Sequence, residues 1–401
     1  MTLLTSLLHR EDLKDIIFRW MSNDFRQEDC DAVKRIVNFN VHVLNLYLDD
    51  FSSDLFKYLS CESVWIFVVN TKGALKDVVL HAAPYHDDRL EYLTERYNKY
   101  PEDFYRSTPF LGKVYCSGSQ EHPAYLGHAR IKRFRRVAEK VSRRMITIIF
   151  DEIKKGADNL ARERASQLRV PKEELITPPE EQKAEFAHAE RRFLKRIKRE
   201  IFCPDEETLK SSAIHDVAGV KVILDDDKAS MLKAFLNERP AYHLVEKQDC
   251  RGDYHATNCV VNVKIETEAL LHRPPDSRVV DILEQRGMDR ATIVSDYYKF
   301  IETAEDNVNL EVITSNYPDM IESEFGRSMH EERILSQRNQ DEYRSSVARN
   351  VRYITEYLFL FAISGKKRIQ QLPVRLWEKA MPDTYDHAIR ALWDIPTMPV
   401  L

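Results

Sequence analysis

HDVAGVKVIL, residues 215–224, sets one carboxylate, Asp216, at the head of an apolar, β-branched run, and NLEVIT, residues 309–314, does the same with Glu311. Runs of this kind predict central strands. Two further strand signals lie between them, YHLVEK (242–247) and HATNCVVNVKIE (255–266), with helical stretches in the intervals and afterwards. Strands and helices mixed at this density predict an α/β or α+β fold: a mixed β-sheet flanked by helices, with a helix-rich N-terminal region and helices at the C-terminal end.

Working outward, Leu13, Ile16, Ile17 and Trp20, then Val33, Ile36, Val37, Val41 and Leu44, recur at helical spacing. SVWIFVVN (63–70), Thr71-Lys72-Gly73 and DVVLHAA (77–83) together read as strand, turn and strand. A helix is expected over 90–100, an irregular stretch to about Tyr125, and a long helix from Ala129 to about Leu168, interrupted near Gly156. The three prolines of VPKEELITPPEEQ (170–182) mark a linker. These signals divide the chain into an N-terminal α+β domain (1–125), a basic helix with its linker (126–180), a sheet domain (181–338) with a helical insertion (265–309), and a C-terminal helical extension (339–401).

Composition sets the class. Of 401 residues, 43% are hydrophobic and 31% charged, with only 10 glycines, which is the balance of a helix-rich globular chain rather than a disordered or fibrous one. The six cysteines show no metal-ligand or disulfide spacing, so a reducing, cytoplasmic setting is expected. No apolar run is long enough to span a bilayer, and a membrane partner is not expected. A net charge of −5 gives no general attraction to nucleic acid, and a DNA partner is not expected. Two local runs are nevertheless strongly basic, His128–Arg144 and Ala189–Glu200, and suit polyphosphate or RNA as readily as a solvated helix face.

Two carboxylates on adjacent strands suit Mg²⁺, which takes oxygen ligands and keeps water and substrate phosphate in its shell. Beyond Glu311 the chain continues as E-x12-E-x-G-x3-H, through Glu324, Gly326 and His330. With Asp216-Val-Ala-Gly219-Val-Lys221 upstream and Gly252-Asp-Tyr254-His-Ala-Thr-Asn258 between, three motifs stand in the order found in RelA/SpoT alarmone synthetases. The middle third of the chain resembles that nucleotidyltransferase-type family.

The resemblance implies transfer of pyrophosphate from ATP to the 3′-hydroxyl of a guanosine nucleotide or an RNA end. Asp216 and Glu311 would be the catalytic, magnesium-binding pair. Tyr254 would stack on the acceptor base, with Lys221 and Asn258 also at the nucleotide. Arg196-Ile-Lys198 is the nearest match to the family's R-x-K phosphate loop, and Glu324 and His330 would support the site. Departures include Lys221 where the family has Arg, Ile313-Thr-Ser315-Asn316 in place of Q-x-R-T, Asp253 in place of a glycine, and Asn258 in place of His. These changes leave a second reading open: a catalytically degenerate synthetase-fold module that binds nucleotide, RNA or a protein. His215-Asp216 as a metal-hydrolase dyad, Arg251-Gly252-Asp253 as an adhesion tripeptide and Ser117-Gly118-Ser119 as a polymerase-type turn are set aside, since none has the flanking ligands or context it needs.

Overall fold

The protein is described from a computed structural model over residues 3–378, apart from 61, 120, 226–228, 253, 327–328, 331, 334–335, 337–342 and 344. Cys61, Asp253 and the tail from Trp393 therefore lie outside the described residues, among which the five cysteines are free thiols.

The expected mixed sheet is present and has seven strands. In chain order these are β1 (Val64–Thr71), β2 (Pro109–Gly118), β3 (Pro123–Ile131), β4 (Ala218–Ile223), β5 (Tyr242–Arg251), β6 (His255–Lys264) and β7 (Asn307–Ser315). They lie side by side in the order β1-β2-β3-β4-β7-β6-β5, and β4–β7 is the parallel pair among otherwise antiparallel neighbours. Strand side chains alternate between faces. Ala218, Val220 and Val222 of β4, with Leu310 and Val312 of β7, are buried in one core, while Gly219, Lys221, Glu311 and Ile313 take the other face.

The first face is covered by long helices. The two ends of the chain supply α1 (Arg10–Met21), α2 (Glu28–Leu59) and the last helix, Ser346–Ile363, and the middle supplies α5 (Phe134–Leu168). In α2, Val33, Val37, Leu44, Leu48, Phe51 and Leu55 form the buried stripe that helical spacing requires. Against the second face pack α3 (Lys72–His81), α4 (Asp88–Lys99) and α12 (Tyr317–Phe325), through a separate cluster that includes Leu75, Val79, Leu93, Tyr97, Tyr317 and Phe325. Of these, α3 packs on β1, β2 and β3, and beside α12 a cavity opens over β4, β7 and β6.

Further α-helices among the described residues are α6 (Pro179–Ile197), α7 (Glu206–Ser211), α8 (Ala229–Asn237), α9 (Thr267–Leu271), α10 (Ser277–Gln285) and α11 (Ile293–Glu302), and the last helix becomes α13. Helices α9–α11 occupy the expected insertion. Among the described residues no helix is long and apolar enough to cross a membrane.

Three local expectations are corrected. DVVL is helical, not a returning strand: Thr71 leaves β1 and accepts a hydrogen bond from the Ala74 amide at 3.0 Å, capping α3 at its start. The stretch before Tyr125 contains strand β2, whose punctuating Tyr, Gly and Pro hid its alternation. Residues 129–131 belong to β3 rather than to the basic helix, which starts at Phe134 and runs through Gly156 without the expected interruption. The last point removes the boundary expected near residue 125. Strand β3 pairs with β4 from Gly127↔Val222 to Ile131↔Ala218, so N-terminal and middle segments share one sheet.

Candidate functional site

On the second face lies a cavity of about 300 Å³. Its floor is laid out by strand register. Arg130, Gly219 and Glu311 stand side by side across β3, β4 and β7, and in the next row His128, Lys221, Ile313 and Asn258 stand across β3, β4, β7 and β6. Lys132 and Asp216 close the cavity at the end from which β4 starts; Tyr254, Glu324, His330 and Arg333 contribute to its other walls.

Gly219 makes this floor possible. A Cβ there would sit 2.7 Å from the Glu311 carbonyl oxygen and 3.1 Å from the Glu311 Cβ. The bare backbone leaves a notch between Arg130 and Glu311. Because β4 and β7 are parallel neighbours, Asp216 before one strand and Glu311 within the other reach the same cavity.

The carboxylate end holds two cations. The ammonium groups of Lys132, following β3, and Lys140, in α5, both donate to Oδ2 of Asp216. Burial works to raise the pKa of Asp216, but the two lysines outweigh it and hold the carboxyl well below its ordinary range. Lys132 is drawn below the usual lysine range by its own desolvation, which Asp216 and Glu311 only partly offset. Oε1 of Glu311 accepts from Asn258 Nδ2 at 3.1 Å, while Oδ1 of Asn258 is buried without a hydrogen-bond partner among the described residues.

The opposite end is basic. Lys221 donates to Ser323 Oγ at 2.7 Å, and burial lowers it to about 8 against the opposing pull of Glu324. Glu324 pairs with Lys72 of α3 at 3.2 Å. Its burial favours the protonated form, but Lys72, Lys221 and Lys76 more than reverse this and keep it ionised. The Arg333 guanidinium lies 4.6 Å from the centre of the Tyr254 ring and 3.4 Å from His330 Nδ1. Desolvation, then the charges of Arg130 and Lys72, push His330 well below the usual histidine range.

Of the residues singled out from sequence, Asp216, Glu311, Lys221, Tyr254, Asn258, Glu324 and His330 all line this cavity. Arg196 and Lys198 do not. Arg196 follows the face of α6 and donates to Glu152 of α5 at 3.1 Å, and Lys198 lies 5.1 Å from the centre of the Trp377 ring. Residues not singled out before are Arg130, Lys132, Lys140 and Arg333. Arg130-Ile-Lys132 carries the same R-x-K spacing as the pair chosen, with Lys140 beyond it. Assigning it to a helix hid it, since residues two apart share a face only in a strand.

The oxygen set suits magnesium. Mg²⁺ is usually held by only one or two carboxylates with water and phosphate oxygens, and the cavity offers Asp216, Glu311 and the unpartnered Asn258 Oδ1. Among the described residues no three His, Cys, Asp or Glu side chains converge as a full protein cage for a metal. Comparison of the chain with protein-family models, curated proteins and solved structures found no match.

Proposed function

We propose that this cavity transfers a pyrophosphoryl group from ATP to the 3′-hydroxyl of a guanosine nucleotide or an RNA end, as RelA/SpoT-type synthetases do. One observation carries the reading: Asp216 and Glu311 reach one cavity from parallel neighbouring strands, with two lysines at the first of them. Phosphoryl transfer is mainly positioning and charge neutralisation, and acids with adjoining cations are the groups that supply both.

Asp216 and Glu311 would hold magnesium, which when bound draws charge from the donor phosphates. Lys132 and Lys140 bind donor phosphate oxygens, exchanging their contacts with Asp216 for contacts with the triphosphate. Arg130 adds a guanidinium in the neighbouring row, which makes up for the arginines missing at Lys221 and after Glu311. Glu311, oriented by Asn258, accepts the proton of the acceptor hydroxyl as its oxygen bonds to the β-phosphorus and AMP departs. Tyr254 offers its ring to the acceptor base, the stacking role available to an aromatic side chain at a cavity mouth.

The second reading, a module that binds nucleotide or RNA without turnover, is favoured by the lysine-capped state of Asp216. A single experiment separates the two. Full-length protein is incubated with γ-labelled ATP, Mg²⁺ and either guanosine nucleotides or total tRNA. Label reaching an acceptor with the wild type and lost with Glu311→Gln supports transfer; binding of nucleotide or RNA without label transfer to any acceptor supports the module.

A further inference from the structure

The cavity has two electrostatically different ends, and the transfer reading uses mainly one. At the inner end, Arg130 from β3, Lys221 from β4 and Arg333 from the segment after α12 line the cavity together with His330 and one carboxylate, Glu324. Glu324 is already engaged by Lys72 at 3.2 Å. Among the described residues, no carboxylate forms an ion pair with Arg130, Lys221 or Arg333. Like charges gathered in a half-buried space are costly unless an anion joins them.

We propose that Lys221, Arg333 and His330, with Arg130 standing between the two ends, form a second anion site, beyond the carboxylate end, that takes a phosphate monoester.

The donor geometry fits such a group. Two guanidiniums present forked N–H pairs to phosphate oxygens, and the Lys221 ammonium adds a point charge between strands. Since Arg333 donates toward Nδ1 of His330, a neutral His330 keeps its proton on Nε2 and offers a further donor. The groups facing His330 are Arg130, Lys72 and Arg333, all of which disfavour its protonation, and Glu324, which favours it. A phosphate dianion would tip that balance toward protonation. Arg333 also covers the Tyr254 ring. A phosphate that draws Arg333 inward uncovers that ring, which couples phosphate binding to stacking of a planar group.

The site is tested without ATP or magnesium, so its failure and that of the transfer reading are scored separately. Inorganic phosphate is titrated calorimetrically into full-length protein at pH 7. Expected are saturable binding and a loss of about ten-fold or more in affinity for Arg333→Gln and for Lys221→Gln, the cost of one charge-assisted hydrogen bond. Arg196→Gln, on α6 outside the cavity, should bind phosphate within about two-fold of wild type. Phosphate bound as tightly by the Arg333 and Lys221 variants as by wild type, lost in Arg196→Gln, or not bound at all overturns the proposal. A nucleoside 5′-monophosphate in place of phosphate identifies the source: markedly tighter binding assigns the site to a nucleotide's own phosphate, and equal binding to the free ion. Both outcomes uphold the site, and Arg333, lying outside the β-sheet, is the variant least prone to disturb the fold.

Discussion

Replacing Gly219 with alanine tests the geometry on which the cavity depends. The added Cβ would meet the Glu311 carbonyl oxygen at 2.7 Å and the Glu311 Cβ at 3.1 Å. Unstrained carbon pairs sit at about 3.5–4.0 Å, so β7 would have to withdraw by roughly half an ångström at Glu311. Both atoms belong to a central strand paired on its two sides, by β4 and by β6, and neither is the end of a flexible side chain. Overpacking of this kind costs about 1–3 kcal/mol. The stiffer unfolded chain returns about 0.4–1 kcal/mol, leaving a net loss of about 1–2 kcal/mol. Chemical denaturation should show a lower midpoint with an unchanged slope. Binding of Mg·ATP should fall more than stability does, because the displaced residue is Glu311 itself. A variant as stable as wild type with unaltered nucleotide binding would refute the claim that the bare backbone at 219 sets the position of Glu311.

Two further outcomes follow from the same geometry. Glu324→Gln removes the carboxylate that pairs with the buried Lys72, at a cost of about 1–3 kcal/mol at neutral pH. Because the carboxyl of Glu324 lies well below its ordinary value of 4.5 in the folded protein, its stabilisation is complete above that value and is lost as pH falls below it; the variant's acid-unfolding curve should be correspondingly flatter there. Arg196→Gln and Lys198→Gln should leave Mg·ATP affinity within about two-fold of wild type, whereas Lys132→Gln should weaken it about ten-fold or more. Equal losses across the three would return the donor phosphates to α6.

The carboxylates were legible because each heads or sits in a short β-branched run, and a strand signal of that kind depends on local sequence alone. Tyr254, Asn258, Glu324 and His330 were found by the order of their motifs. Lys221 was found by its place after Asp216, and its alternation with Val220 and Val222 fixes the face it takes.

Sequence by itself determined the mixed sheet, the long amphipathic helices and the side-chain alternation that sends Lys221 and Glu311 away from the apolar core. It did not determine which strands are neighbours. Only the tertiary structure joined β3 to β4, across a gap filled by three helices, and so carried Arg130 and Lys132 to Asp216 while Arg196 and Lys198 stayed on α6. The reason is that periodicity reports which face of its own element a residue occupies, whereas the partner on that face is chosen by pairing between distant segments.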